Sequence, residues 1–236
     1  MFLFFPAIVI ASLFGKVSGG NVIYTICRLW ADILCFLTGI RHINIYESPH
    51  DISRSYIFLS NHISYMDIPM IMKSVRKQHV RVLGKAGMGK IPVFGYIYKS
   101  AVVMVDRESA SNRFRSIKVL KSVIKKGISV FICPEGTFNM GPEPLKSFYD
   151  GAFRIAIETQ TPIKPLLFLD TYDRLSYESI FSFTPGKSRT VFLEEVDVSG
   201  YAISEVPLLK TKVYRIMKEA LIRYNASWIG KEHYQD

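Results

Sequence analysis

The stretch Ser60-Asn61-His62-Ile63-Ser64-Tyr65-Met66-Asp67 stands between two apolar segments of different character. Before it, Tyr56-Ile57-Phe58-Leu59 is a short continuous apolar run of the kind that forms a buried strand. After it, residues 68–73 fit the first turns of a helix. The polar cluster is therefore predicted where a strand ends and a helix begins, which is the edge of an α/β sheet where sites are usually built.

His62 and Asp67 are five positions apart, so they would point to different faces of one continuous helix. If His62 lies in the turn and Asp67 in the first helical turn, the carboxylate can reach back to the imidazole and stabilise its protonated form. The other ring nitrogen would then accept a proton from a hydroxyl group. Two alternatives stay open on spacing alone, because Ser64 and Asp67 also spell the capping box S-x-x-D and a lone histidine is more often structural.

Segments typical of strands and helices alternate from residue 41 onwards. The predicted strands are Ile43–Tyr46, Tyr56–Leu59, Val80–Leu83, Ala101–Val105, Ile128–Cys133, Ile163–Leu169 and Thr190–Glu194. The predicted helices are Ile68–Arg76, Ala110–Lys126, Gly151–Thr159 and Pro207–Tyr224. This alternation predicts an α/β domain over residues 41–236, with a mostly parallel mixed sheet flanked by helices.

Residues 1–40 are strongly apolar and are predicted as a separate membrane-associated helical hairpin. The first 14 residues would form a helix of about 21 Å, shorter than the roughly 30 Å hydrocarbon core of a bilayer. A glycine-rich turn over residues 15–20 leads to a second apolar stretch, in which Arg28 and Asp32 could pair on one helix face. Because charges within a span are costly, a hairpin embedded in one leaflet is expected, with an ordinary buried hairpin as the alternative.

The net charge of +10 is concentrated in one part of the chain. Residues 73–126 hold fourteen of the 30 Lys and Arg but two of the 20 Asp and Glu. Such a basic zone predicts an anionic partner, for example membrane phosphates, a phosphorylated substrate or an acidic carrier protein. No nucleic-acid-binding motif is present, so no nucleic-acid partner is expected. The three cysteines lie in apolar runs without a C-x-x-C or His/Cys cluster, which indicates reduced thiols and no metal site.

Two further segments place glycines and polar side chains near predicted strand ends. Residues 84–90 contain three glycines and two lysines, and Arg107 follows the next strand. These residue types suit a phosphate, although the glycine–lysine stretch by itself favours a flexible solvated loop and Arg107 could equally pair with Asp106 or Glu108. Pro134-Glu135-Gly136-Thr137 follows another strand, with Gly136 allowing a tight turn and its neighbours offering hydrogen bonds.

Taken in order, these segments resemble the motif blocks of the glycerolipid acyltransferases, of the 1-acyl-sn-glycerol-3-phosphate (lysophosphatidic acid) acyltransferase type. His62 and Asp67 match the family's H-x4-D motif, and Asn61 is a usual residue before the histidine. Residues 85–107 resemble the second block, 134–137 the third, and Thr161-Pro162-Ile163-Lys164-Pro165-Leu166 the fourth. The resemblance covers about residues 57–168, near half of the chain.

The resemblance implies a membrane-associated O-acyltransferase of phospholipid biosynthesis. His62, oriented by Asp67, would act as the general base on a lysolipid hydroxyl, most readily that of 1-acylglycerol 3-phosphate, which would become phosphatidic acid. Acyl-CoA or acyl-carrier protein would donate the acyl group, and no cofactor is expected because a thioester is already activated. The implied substrate-binding residues are Asn61, Lys85, Arg107, Glu135, Gly136 and Thr137. The N-terminal two-helix motif would sit on the bilayer, with the catalytic domain on the cytoplasmic face.

One position departs from the family's pattern. The residue after Gly136-Thr137 is usually Arg, and here it is Phe138. The missing guanidinium leaves a lyso-aminolipid or another lysophospholipid open as the acceptor. Two other classes also stay open: a lipid hydrolase with Ser60 or Ser64 as nucleophile, although no G-x-S-x-G is present, and a non-catalytic membrane adaptor.

Overall fold

Seven strands of the described chain join in one sheet. The computed structural model describes residues 2–91, 94–105, 110–177, 179 and 181–230. The strands are β1 (Ile40–Tyr46), β2 (Ile57–Ser60), β3 (Val80–Lys85), β4 (Val102–Val105), β5 (Ser129–Ile132), β6 (Ile163–Phe168) and β7 (Gly186–Phe192). Their order across the sheet is β1-β7-β6-β2-β5-β3-β4. Neighbouring strands are parallel except β6 and β7, so the predicted mostly parallel mixed sheet is confirmed.

Helices cover both faces of this sheet. They are α1 (Phe5–Ser12), α2 (Gly20–Leu37), α3 (Asp67–Ser74), α4 (Phe94–Ala101), α5 (Ala110–Ile124), α6 (Gly151–Thr159), α7 (Thr171–Arg174) and α8 (Val206–Arg223). Buried side chains of α1 to α4 share a core with Phe58, whereas those of α5, α6 and α8 share a second core with Ile57 and Leu59. Because successive strand residues point to opposite faces, the buried strand β2 contributes to both cores. The result is a three-layer α/β fold.

Helix α4 is the main element that the sequence did not predict. Its first turn contains Gly95, which reads as a loop residue beside the glycines of the second block. In the structure Gly95 is required by packing, because a Cβ atom there would lie 2.4 Å from the carbonyl oxygen of Gly89. This close approach seats α4 on the short 3-10 turn Ala86–Lys90. The glycine therefore marks a tight contact within a helix rather than a flexible loop.

The N-terminal segment is partly packed into the core. One face of α2, including Tyr24, Cys27 and Ala31, is buried in the core that contains Phe58. The residues Gly15–Gly19, predicted as a turn, instead form one π-helical turn that continues into α2. By length and composition the apolar helix Val17–Leu37 could cross a membrane, a criterion that core helices and signal sequences also meet. The division of the chain into units at residue 40 stays a prediction.

Arg28 and Asp32, predicted as partners on one helix face, instead bond to the segment around α3. The Arg28 guanidinium donates to the carbonyl oxygen of Gln78. The Asp32 carboxylate pairs with Lys73 and with Arg76, whose Nη2 atom lies 3.0 Å from Asp32 Oδ2. Because both charges find their partners on the domain, they tie α2 to α3. Part of the predicted basic zone is therefore used inside the fold.

Candidate active site

His62 and Asp67 meet at the carboxyl end of β2. The His62 Nδ1 atom lies 2.8 Å from Asp67 Oδ2. This contact spans five positions because His62 stays in the turn after β2 while Asp67 begins α3. The Asp67 side chain is fully buried, and 23% of the His62 side chain is exposed. With Nδ1 held by the carboxylate, Nε2 is the ring atom left to take a proton from a ligand.

A single carboxylate oxygen of Asp67 serves both of the roles that spacing left open. Besides the imidazole, Oδ2 accepts the backbone N–H groups of Ile63 at 2.8 Å and of Ser64 at 3.0 Å. The Met66 N–H donates to Ser64 Oγ at 2.8 Å, so Ser64 also organises the turn that enters the helix. Turn organisation and imidazole orientation are therefore combined in one side chain rather than being alternatives.

The third block and Asn139, two residues after it, hold the backbone of His62 from both sides. The His62 N–H donates to Oε1 of Glu135 at 2.8 Å, and the His62 carbonyl accepts the Asn139 N–H at 2.7 Å. These residues follow β5, which lies beside β2, so the carboxyl ends of the two parallel strands bring them together. Gly136 adopts a φ of 76°, a left-handed conformation that favours glycine. The strand ends and this turn thus fix the position of His62.

Glu135 lies inside the loop that it holds. It is 2% exposed, and its second oxygen, Oε2, accepts the backbone N–H of Lys146 at 2.8 Å. Burial raises the pKa of Glu135 to about 8, an effect that the N–H bonds from Lys146 and His62 oppose and the Asp67 charge reinforces. Both oxygens are thus committed to backbone groups. A positioning role fits these contacts better than the direct substrate contact predicted from the sequence.

Asn61 has a similar internal role. Its Nδ2 atom donates to the carbonyl oxygen of Phe168 at 3.0 Å, and its Oδ1 atom accepts the Phe168 N–H at 2.9 Å. The side chain is 1% exposed. It therefore extends the pairing of β2 with β6 by one step beyond the last residue of β2. Predicted as a substrate-binding residue, Asn61 has both polar atoms of its side chain bonded to Phe168 and joins two strand ends next to His62.

Aromatic rings cover one side of the imidazole. The centroid of the Phe138 ring lies 4.4 Å from that of His62. Tyr65 meets Phe138 edge-on at 4.9 Å, and Tyr177 stacks on it at 6.3 Å. The position where the sequence lacks an expected guanidinium is thus occupied by a ring in contact with the His62 imidazole. This wall gives the site an apolar side.

The remaining predicted binding residues lie along the same edge of the sheet. Lys85 ends β3 with an exposed side chain, one strand further from β2 than the third block. Thr137 is exposed, and its hydroxyl accepts a hydrogen bond from Lys146 Nζ at 3.0 Å. Arg107 lies outside the described residues. The structure therefore brings Thr137 into the His62 cluster and places Lys85 farther along the edge.

The geometry does not support a serine hydrolase. Ser64 is fully buried, and its hydroxyl donates to the carbonyl oxygen of Leu175. Ser60 is also fully buried, and its hydroxyl contacts the Cys133 sulfur at 3.5 Å. Neither of these two hydroxyl groups forms a hydrogen bond with His62. Within the described residues, no three His, Cys, Asp or Glu side chains gather as metal ligands.

Lys146 is the residue of this cluster that the sequence did not predict. It follows Thr137 by nine positions and belongs to none of the matched blocks. The available signal was the sequence Gly141-Pro142-Glu143-Pro144, whose glycine and prolines are typical of a tight return of the chain. That return brings Lys146 back against Glu135 and Thr137.

Comparisons with known proteins agree with these motifs. A family model described as Acyltransferase matches residues 40–169. The 1-acyl-sn-glycerol-3-phosphate acyltransferase of Haemophilus influenzae is 28% identical over 177 residues, which are 74% of this chain and 71% of that protein. The human 1-acyl-sn-glycerol-3-phosphate acyltransferase beta is 26% identical over 171 residues. That match covers 72% of this chain and 61% of the human protein, less than two thirds of its length.

A solved structure shows the same fold. The crystal structure of the 1-acyl-sn-glycerophosphate (LPA) acyltransferase PlsC from Thermotoga maritima matches with a TM-score of 0.70. The match covers 94% of this chain and 89% of that chain at 23% sequence identity. The likeness thus extends well beyond the segment that the family model matches.

Proposed function

The chain belongs to the acyltransferase family, and on that premise we propose that it transfers an acyl group from a thioester to a lysolipid hydroxyl at His62. The observation that carries the proposal is the 2.8 Å contact between His62 Nδ1 and the buried Asp67 carboxylate. Such a pair fixes the tautomer of the imidazole and stabilises the imidazolium that forms when Nε2 takes a proton.

The proposed reaction proceeds without an acyl-enzyme. His62 Nε2 takes the hydroxyl proton while the acceptor oxygen attacks the thioester carbonyl carbon, forming the new C–O bond. The tetrahedral intermediate then collapses, the C–S bond breaks, and the imidazolium returns the proton to the departing thiolate. Holding both substrates beside one base supplies much of the rate. The aromatic wall at Phe138 gives the apolar parts of the substrates a surface next to the base.

We propose 1-acylglycerol 3-phosphate as the acceptor and acyl-CoA or acyl-carrier protein as the donor. The acceptor follows the activity in the names of the relatives from Haemophilus influenzae and human. The apolar helix Val17–Leu37 supports a site at the membrane surface, where both lipid substrate and product reside. Both donors are large, charged molecules that do not cross a bilayer, which supports a catalytic domain on the cytoplasmic face.

Replacing the base tests the proposed function. His62→Ala should lower kcat/KM for acyl transfer by about a hundred- to ten-thousand-fold, the usual cost of losing a general base. His79→Ala, at an exposed histidine on another part of the chain, is the matched control and should keep activity. Thermal unfolding of both variants checks that the fold is intact. A folded His62→Ala enzyme with most of its activity would contradict the mechanism.

A second candidate acceptor is a lysolipid with a neutral, zwitterionic or amino-acid head group. The observation that favours it is the Phe138 ring against His62, where the related family carries a guanidinium. An apolar ring offers no charge to a phosphomonoester, which carries nearly two negative charges and is best held by several cations.

Phe138→Arg distinguishes the two acceptors. We expect the ratio of kcat/KM for lysophosphatidic acid to that for a neutral lysolipid to rise by about tenfold, as one charge-assisted hydrogen bond is gained. Phe138→Leu is the control, since it removes the ring without adding charge. If the wild type strongly preferred lysophosphatidic acid and Phe138→Arg lost that preference, Phe138 would not be what loosens phosphate recognition.

A further inference from the structure

Lys146 is joined to the base through one buried carboxylate. Its backbone N–H donates to Glu135 Oε2, and Glu135 Oε1 accepts the N–H of His62, each at 2.8 Å. The Lys146 ammonium donates to the Thr137 hydroxyl at 3.0 Å. The residue after Thr137 is Phe138, whose ring contacts the imidazole. The ammonium therefore stands at the rim of the same cluster as the base.

This ammonium is open to an anionic ligand. The Lys146 side chain is exposed, and no carboxylate of the described chain forms an ion pair with it. The acidic residues near it in sequence pair elsewhere, Glu143 with Lys218 and Asp150 with Lys210. Within the described residues, the backbone N–H groups of Thr137 and Phe138 donate to no backbone carbonyl. An anion at this turn would thus meet the Lys146 ammonium and the Thr137 hydroxyl.

We infer that Lys146, together with Thr137, holds the phosphate of the lysolipid acceptor and so sets the preference for a phosphorylated head group. The inference rests on the proposed function and names the residue that binds the phosphate of the acceptor. In 1-acylglycerol 3-phosphate the acceptor hydroxyl and the phosphate are on adjacent carbons, so the phosphate ligand must lie close to the base. Lys146 shares the Glu135 carboxylate with His62 and bonds Thr137, whereas Lys85 ends a strand that lies beyond β5 from β2.

The same placement explains how the site tolerates Phe138. The guanidinium expected after Thr137 is absent, and Lys146 brings a cation to Thr137 from nine positions later in the chain. An ammonium is a point charge on a flexible stem, so it can follow a phosphate without the fixed geometry of a guanidinium. Cation and aromatic ring are then both present, one beside the phosphate and the other beside the base.

The test compares two acceptors that differ only in the phosphate, lysophosphatidic acid and monoacylglycerol, with one acyl thioester. Lys146→Met should lower kcat/KM for lysophosphatidic acid by about tenfold and leave that for monoacylglycerol unchanged. Lys146→Arg should keep most of the activity. Adding Phe138→Arg to Lys146→Met should restore the lost preference. Lys125→Met, an exposed lysine at the other end of the fold, controls for general attraction to anionic micelles.

A binding measurement separates this inference from the proposed function. Lysophosphatidic acid and monoacylglycerol are titrated in neutral detergent micelles, and Lys146→Met should weaken binding of the first about tenfold and not that of the second. If the wild type transferred no acyl group but Lys146→Met still bound lysophosphatidic acid more weakly than the wild type, the proposed function would fail and the phosphate site would stand. Equal losses for both acceptors, or none for lysophosphatidic acid, would overturn the role of Lys146.

Discussion

His62, the proposed base, is held through its backbone as well as through its ring. His62 receives a carboxylate oxygen on Nδ1, another on its N–H and a backbone donor on its carbonyl. The second of these carboxylates, Glu135, is buried in a position where ionisation is disfavoured, because the raised pKa of about 8 lies above the ordinary value near 4.5. The scaffold of the site should therefore respond to pH near neutrality.

Glu135 should make the folded state less stable as pH rises. Between pH 4.5 and about 8 the folded protein keeps the Glu135 proton while the unfolded chain has lost it, so stability is present at the lower pH and is lost towards the upper. The slope from this group is at most roughly 1.4 kcal/mol per pH unit. Denaturant unfolding of wild type and Glu135→Gln from pH 5 to 8 measures it, and the variant should lack that slope.

The control for this prediction is Glu143→Gln, an exposed glutamate of the same loop, with 71% of its side chain accessible. Because it is solvated, its replacement should leave the shape of the stability curve unchanged. Parallel curves for wild type and Glu135→Gln would show that burial of Glu135 does not couple folding to pH in this range.

At the scale of residues, the sequence could predict contacts within one turn but not contacts that the fold makes between distant segments. The His62–Asp67 contact was predictable because both residues belong to one turn between a strand end and a helix start. The side chains of Asn61 and Glu135 were not, because a polar residue beside a site has the same sequence signature whether it faces ligand or backbone. Lys146 was not predicted, because no motif contains it. The loop folds back and so brings it to Thr137.

At the scale of elements, the site depends on how the carboxyl ends of β6, β2 and β5 are joined. Between β2 and β6 the joint is the Asn61 amide, which satisfies both the N–H and the carbonyl of Phe168. These backbone groups are buried, and buried polar groups without partners are costly. The Asn61 side chain thus continues the hydrogen-bonded pairing of β2 with β6 beyond Ser60, the last residue of β2.

Asn61→Ala should lower both stability and activity. It leaves the N–H and carbonyl of Phe168 without partners, at a cost of about 1–3 kcal/mol for each buried group left unsatisfied. Because His62 is the next residue, the loop should loosen and kcat should fall more than KM rises. Ser60→Ala is the matched control, equally buried but with only a 3.5 Å contact to the Cys133 sulfur. Equal unfolding midpoints for the two variants would contradict this account.

The strands were predicted better than the elements around them. All seven predicted strands are present, because buried apolar runs bounded by turn residues are a strong local signal. Their ends differ where neighbours extend them: β1 and β7 pair along their whole length, so they begin earlier, at Ile40 and Gly186, than their apolar runs indicate. Helix α4 was missed because packing against Gly89 requires the glycine at position 95.

For the molecule as a whole, α2 presents apolar surface in two directions. Ile23, Cys27, Ala31 and Cys35 recur at helical spacing on the face buried against the sheet. Val22, Leu29, Ile33 and Phe36 lie on the other face and are exposed by 41–84%. Composition alone could not separate the buried hairpin from the membrane hairpin, because α2 has both a buried apolar face and an exposed one.

Deleting residues 1–40 would therefore be a poor test of membrane binding. It would expose the core side of the sheet that α2 covers, so aggregation is expected whether or not the segment binds lipid. Substitutions confined to the outer face separate the two effects, because they leave the buried face of α2 and its ion pairs with α3 in place.

The double variant Leu29→Ser and Phe36→Ser should weaken binding to phospholipid vesicles while the protein stays folded. The two side chains are 50% and 84% exposed, so their removal costs the core little. Fully burying one such side chain in an apolar medium contributes roughly 1.5–3 kcal/mol, so losing two should reduce vesicle partitioning at least about tenfold. Ile222→Ser on α8, also 50% exposed, is the control and should float with vesicles like the wild type.

Flotation at low and high salt measures the effect, since apolar insertion resists salt and attraction by exposed lysines does not. Unchanged, salt-resistant flotation of the double variant would place the membrane contact on a different surface.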